Sequence, residues 1–232
     1  MRLIAFDTAT EWCTAALWLD GALHWREARA GQRHSDLLVP MIMDLLAEAG
    51  LKLGQLDGLA YGMGPGSFTG LRIACGVAQG LALGSDLRVV GVSTLEALAQ
   101  EAWNQRRADR VLACLDARMQ EVYAGLYRRQ DEGWLCQAGP LVCAPQDLPA
   151  PPAAGYTGAG PGFLAHAGMT SAWPVPLLAV AGELIPHARA IAHLAVPRLA
   201  RGEGLPAEAA EPLYIRDKVA LKIRERAHTS MA

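Results

Sequence analysis

The stretch from Leu56 to Leu83, LDGLAYGMGPGSFTGLRIACGVAQGLAL, constrains the chain most, because it sets a strand, a glycine-rich turn and a helix in direct succession. Leu59, Ala60, Tyr61 and Met63 form a short apolar run. Gly62, Gly64, Pro65 and Gly66 then end it, since glycine admits positive φ and proline fixes its own. Ser67 and Thr69 are the candidate helix starts. From Leu71 to Leu83 nearly every residue is apolar or small, with Ala74, Ala78 and Ala82 in one i,i+4 row and Gly76 and Gly80 in another. Each helical glycine costs about 1 kcal/mol relative to alanine, so this row implies close approach of another backbone. That backbone is either the chain's own sheet or another protein, and spacing leaves both open. The turn is open in the same way: its N–H groups can cradle an anion, or it is simply tight. No lysine lies in it, so it is not a P-loop as written.

Composition narrows the rest. A chain of 232 residues that is 52% hydrophobic can fill one large or two small cores. A net charge of −2 gives no global attraction to nucleic acid, so any RNA is expected to be held by something else. The five cysteines, Cys13, Cys75, Cys114, Cys136 and Cys143, show no CxxC spacing and are expected to be reduced and buried. Met1 leads straight into a strand, with no signal segment and no apolar run of about 18 residues. The expectation is a soluble, cytoplasmic protein.

In order, the chain predicts a strand from Arg2 to Asp7, an Asp-Thr-Ala-Thr turn, and strands from Cys13 to Leu19 and Leu23 to Arg29 joined at Asp20-Gly21. The turn can hold a phosphate or satisfy its own backbone. Ser35 or Asp36 is expected to cap a helix running to Ala49, with Gly50 as its stop. Its apolar residues Leu37, Leu38, Met41, Ile42, Leu45, Leu46 and Ala49 form a double stripe wider than one sheet needs. A strand over 88–92, a helix over 94–104 and a strand over 110–115 follow. A second unit then begins with alternation at Val122, Ala124 and Leu126. Tyr156 to Gly160 reads as another strand-to-glycine turn that echoes the first in kind only. A long helix is expected over 181–201, capped near Glu183, and then a basic tail with Lys218, Lys222, Arg224 and Arg226. The division expected is an N-terminal lobe over 1–105 and a C-terminal lobe over 106–232.

The chemistry is sparse. None of the six histidines forms HxxxH or HExxH, so no metal site is expected. GPGSFTG is not a GxSxG nucleophile elbow, and Ser67 reads as a cap. Asp7, Glu11 and Asp116 sit at strand ends, where acids and bases and ordinary turn carboxylates both occur.

Taken together, DTATE at 7–11, HS at 34–35 with Leu37, Leu38 and Pro40, YGMGPGSFTGLRI at 61–73, AQGLALG at 78–84, GVSTLEALA at 91–99, DARMQEVY at 116–123 and EPLYIRD at 211–217 resemble the bacterial TsaB (YeaZ) family nearly end to end. The resemblance implies an actin-like ASKHA fold (ribonuclease H-like), of two α/β lobes, each a mixed sheet flanked by helices. It further implies a non-catalytic scaffold role in threonylcarbamoylation of the adenosine beside the anticodon of tRNAs reading ANN codons. In that family the paralogue TsaD carries an HxxxH metal pair and performs the transfer. Here only His34, in Gln32-Arg33-His34-Ser35, stands near the corresponding helix start. Implied partners are TsaD, the ATPase TsaE and a second copy of the chain, with tRNA reached only through the complex. No cofactor is expected to bind this chain stably, and ATP is used by the complex. The residues assigned to the partner interface are Leu38, Met41, Ile42, Leu45, Ala74, Val77, Ala78 and Leu81. Asp7, Thr8, Thr10, Gly64, Gly66 and Ser67 are assigned to phosphate-proximal turns. The competing function is an enzyme, either an ASKHA-type ATPase or phosphotransferase working through Asp7, Thr8 and Thr10, or a glycoprotease-like peptidase acting on the paralogue.

Overall fold

Asp20 and Gly21 both take positive φ, as a two-residue hairpin turn requires, and they join the second and third strands of a five-stranded sheet, which pair antiparallel. The structure, a computed structural model, describes residues 1–131 and 133–216. The first sheet has the order β3-β2-β1-β4-β5, from β1 (Arg2–Asp7), β2 (Trp12–Leu19), β3 (Ala22–Arg29), β4 (Gly58–Gly64) and β5 (Val89–Ser93). β1 and β4 pair in parallel at its centre and are buried almost throughout. This is why both read as continuous apolar runs rather than alternating ones.

The second sheet repeats that plan. β6 (Arg110–Arg118), β7 (Glu121–Gln130) and β8 (Gly133–Cys143) form an antiparallel meander, and β9 (Thr157–Ala159) and β10 (Ala179–Ala181) add in parallel on the far side of β6. β9 thus occupies the place that β4 holds in the first sheet. The glycine turn at 160 is therefore a topological counterpart of the one at 62–64, more than the likeness in kind expected from sequence. Two α/β lobes with mixed sheets result.

Helices fill the layers. α1 (His34–Glu48) and α2 (Phe68–Ser85) cover the outer face of the first sheet, where Leu38, Ile42, Leu46, Ala74, Ala78 and Ala82 meet Phe6, Leu17 and Leu59. α3 (Thr94–Arg106) packs Leu95, Leu98 and Ala102 on Val111 and Leu115 of the second sheet. α5 (Ala188–Ala200) returns to lay Ala190, Ile191 and Leu194 on Leu3, Ala60 and Val92 of the first. A short α4 (Gly162–Ala165) lies with Tyr156 and Trp173 on the opposite face of the second sheet. The linear division at 105 and 106 therefore separates the two sheets but not the two packed units, because α5 belongs to the core of the first. Between them the buried Glu101 of α3 receives both arms of Arg189 of α5, at 2.9 and 2.8 Å.

Two expected helix starts move. α1 begins two or three residues earlier than a Ser35 or Asp36 cap would place it, with Arg33 at its cap position and no side-chain cap bond, so Ser35 and Asp36 lie within its first turn. α5 begins at Ala188, not near 181, because Pro186 disfavours helix before it and His187 Nδ1 accepts from the Arg189 N–H. Glu183, expected as the cap, pairs with Arg106 at 2.8 Å. Cys13, Cys75 and Cys114 are buried as free thiols, whereas Cys136 is exposed. The basic cluster from Lys218 to Arg226 lies outside the described residues.

Candidate functional site

The glycine-rich turn and the Asp7 turn close on each other. Ser67 Oγ caps α2 by accepting from Gly70 N at 3.3 Å, and Ser67 N donates to Ala9 O at 2.8 Å. Thr8 Oγ1 donates to Gly70 O at 2.7 Å, Asp7 Oδ1 accepts from Ala9 N at 3.0 Å, and Thr10 Oγ1 accepts from Trp12 N at 3.2 Å. The hydroxyls assigned to a phosphate are thus engaged by backbone. Backbone contact also explains the glycines: a Cβ on Gly66 would stand 2.5 Å from Ala9 O, and one on Gly64 2.7 Å from Leu213 O. His34 Nε2 lies 2.9 Å from Thr10 O and so donates to it, which ties the start of α1 to this turn.

Asp7 is the outlier. It is 1% exposed, and its Oδ2 has no hydrogen-bond partner. Burial pushes its carboxyl up to about 7, opposed only in part by the Ala9 N–H bond. Neither Asp7 nor Thr8 reaches the surface, so a ligand has no direct approach to either. Among the described residues no three of His, Cys, Asp and Glu cluster closely enough to hold a metal ion.

A segment that sequence reasoning left without a role runs across this end of the molecule. Residues 205–216 pair with Val89 through Leu205, accept from Cys75 Sγ and Gln79 Nε2 at Ala210 O, and donate from Leu213 N to Met63 O at 2.6 Å. Tyr61 OH bridges both backbone groups of Glu211 at 2.9 Å. Tyr214 receives Arg72 at 3.0 Å beside the Phe68 ring, and Arg216 reaches Glu121 of the second sheet. The strap thus binds α2 and links the lobes. Its one local signal is the pair Pro206 and Pro212, which keeps the intervening chain out of a long helix. Tyr61→Phe leaves both Glu211 groups unpaired and is expected to cost about 1–3 kcal/mol. A lowered denaturant midpoint with faster amide exchange at Leu213 is the expected result.

Of the eight residues assigned to a partner face, Leu38, Ile42, Leu45, Ala74 and Ala78 are instead interior to the first lobe. The sheet needs more of the double stripe than a single face allows. Met41, Val77 and Leu81 are partly buried at the border of that core. Apolar residues that do point outward include Val39 at 37% exposure and Met43 at 49% on α1, and Phe68 at 45% and Leu83 at 78% on α2. Beside them Gly76, Gly80 and Gly84 form an exposed i,i+4 row, where an added Cβ would meet nothing within 4 Å. The chain's own sheet therefore does not account for these glycines.

A family model for TsaD, tRNA N6-adenosine threonylcarbamoyltransferase, matches residues 28–180. The tRNA threonylcarbamoyladenosine biosynthesis protein TsaB of Escherichia coli (strain K12) is 40% identical over 232 residues, covering 96% of this chain and 97% of that protein. TsaB of Haemophilus influenzae is 48% identical over 123 residues, 53% of this chain and 52% of that one. The solved structure of YeaZ from Pseudomonas aeruginosa superposes with a TM-score of 0.86 at 41% identity, covering 92% of this chain and 99% of that one. Another, described as an uncharacterised protein with similarity to peptidase YeaZ from Pseudomonas aeruginosa, gives 0.87 at 41% identity over 93% and 99%. With near-complete overlap in both sequence and fold, the chain belongs to the TsaB (YeaZ) family of tRNA threonylcarbamoyladenosine biosynthesis proteins.

Proposed function

We propose that this chain is the non-catalytic scaffold of a cytoplasmic tRNA threonylcarbamoyl transferase assembly, needed for modification of the adenosine beside the anticodon in tRNAs reading ANN codons. It docks a TsaD-type paralogue, which performs the transfer, through the outer face of α1 and α2. The same face forms a homodimer when the partner is absent, and a TsaE-type ATPase joins the pair. ATP is consumed by the assembly, and tRNA is reached through it. The observation that carries this reading is the open glycine row of α2, flanked by Val39, Met43 and Leu83. Glycine is the residue that lets a second helix come close, and among the described residues no helix does so there. The closed Asp7 turn supports the same reading, because its side chains are committed to holding α2 in place.

Met43→Glu and Leu83→Glu test it. Both side chains are largely outside the core, so the melting temperature is expected to change little, while a charge at a buried helix contact leaves an unpaired ion that costs about 3–5 kcal/mol. Homodimer sedimentation and co-elution with the TsaD paralogue should therefore both be lost. Modification of tRNA by the reconstituted assembly should fall with them. Leu45→Glu serves as the contrast and should unfold the chain, since Leu45 is 2% exposed. Unchanged co-elution of both outward variants would overturn the docking face.

A further inference from the structure

Away from the docking face, α3, α5 and the β7–β8 hairpin enclose a cavity of about 300 Å³, lined among others by Gln100, Arg129, Trp134, His193 and Arg198. That volume is at the lower end of the range for small-molecule sites. Arg129 is its distinctive group. Its guanidinium lies 4.2 Å from the Trp103 ring centroid and 5.8 Å from that of Trp134. Its side-chain hydrogen bond is a long one, 3.5 Å to Gln100 Oε1, an atom that Trp134 Nε1 already engages at 3.0 Å. Three other partly buried arginines have carboxylates: Arg189 has Glu101, Arg198 has Glu96 and Arg216 has Glu121. Among the described residues Arg129 has none.

A planar cation fixed between two indoles and lacking a counter-charge is a preorganised receptor for an oxyanion. The guanidinium fork matches two oxygens of one phosphate, and its orientation is fixed before any ligand arrives. Arg198 also lines the cavity but is paired with Glu96, which lines it too, so Arg129 is the cation left to meet a ligand. We propose that this cavity binds a phosphate group, with Arg129 taking two of its oxygens, and that the group belongs to a nucleotide or to a strand of RNA. The binding is weak and exchangeable, since a single fork holds it. The cavity lies on α3 and α5, so its test leaves association through α1 and α2 untouched.

The test uses the full chain with its indole N–H groups labelled for NMR, titrated at low salt with inorganic phosphate, AMP and a short single-stranded oligoribonucleotide. The Trp134 resonance is expected to shift saturably, and less at high salt. Arg129→Gln should weaken the response at least about tenfold, whereas Arg128→Gln, at an exposed neighbouring position, should not. Tighter response to the oligonucleotide than to AMP identifies RNA as the source, the reverse identifies a free nucleotide, and both support the site. No shift of Trp134 with any of the three probes, or equal shifts in Arg129→Gln, would overturn it. Should Arg129→Gln fail to fold, the wild-type spectrum still decides: shifts confined to Trp12, Trp18, Trp25 or Trp173 place the ligand elsewhere and refute the assignment.

Discussion

Gly70→Ala is expected to destabilise the chain by roughly 3–5 kcal/mol, enough to unfold much of it at 37 °C. A Cβ at this position would stand 1.9 Å from the Thr8 carbonyl oxygen. Both groups are backbone, and the Thr8 Oγ1 bond to Gly70 O clamps them together, so neither can yield as a flexible side chain would. The same substitution about three turns further along α2 should have the opposite sign. Gly80→Ala meets nothing within 4 Å and removes a flexible residue from a helix interior, for a gain of about 0.5–1 kcal/mol. Gly76→Ala should behave likewise. Denaturant midpoints of the three variants, taken at concentrations where the chain is monomeric, check the contrast. Association provides a further check: if the open row receives a partner helix, Gly80→Ala should strengthen the monomer and weaken the complex. A loss of monomer stability in all three would mean that the row is packed within the chain after all.

The second large effect is on pH dependence, through Asp7. Its carboxyl titrates at about 7 in the folded chain, against about 3.9 when unfolded. Between those values the folded state keeps a proton that the unfolded state has lost, so stability falls as pH rises. The full contribution is present below pH 4 or so and is lost by about pH 7–8, for a total on the order of 4 kcal/mol. Asp7→Asn cannot ionise, and its Oδ1 can still accept from Ala9 N. The variant should flatten this slope and be more stable than the parent at pH 8, by less than the full amount because its amide N–H lies buried without a partner. Denaturation at pH 5 and pH 8 measures both quantities. Parallel curves for parent and variant would show that the carboxyl is solvated in the native state.

The residues spoke clearest where the physics is local. Asp20-Gly21 specified a hairpin because few residues take positive φ twice in succession, and Ser67 specified the start of α2 because a hydroxyl there meets a free N–H. The two-sided burial of β1 and β4 was legible as unbroken apolar sequence, and the family as motifs spread over the chain. Periodicity also showed that α1 carries two apolar stripes, yet it says only which side chains share a face and nothing of what that face meets. Whether Leu45 or Met43 turns toward the sheet depends on how the helix is rotated on its neighbours, and the interior took Leu45. The return of α5 to the first sheet, the Tyr61 bond to Glu211 across a separation of 150 residues, and the placing of Arg129 between Trp103 and Trp134 have the same origin. Each is a contact between segments distant along the chain, which no local pattern encodes and which exists only once the layers have packed.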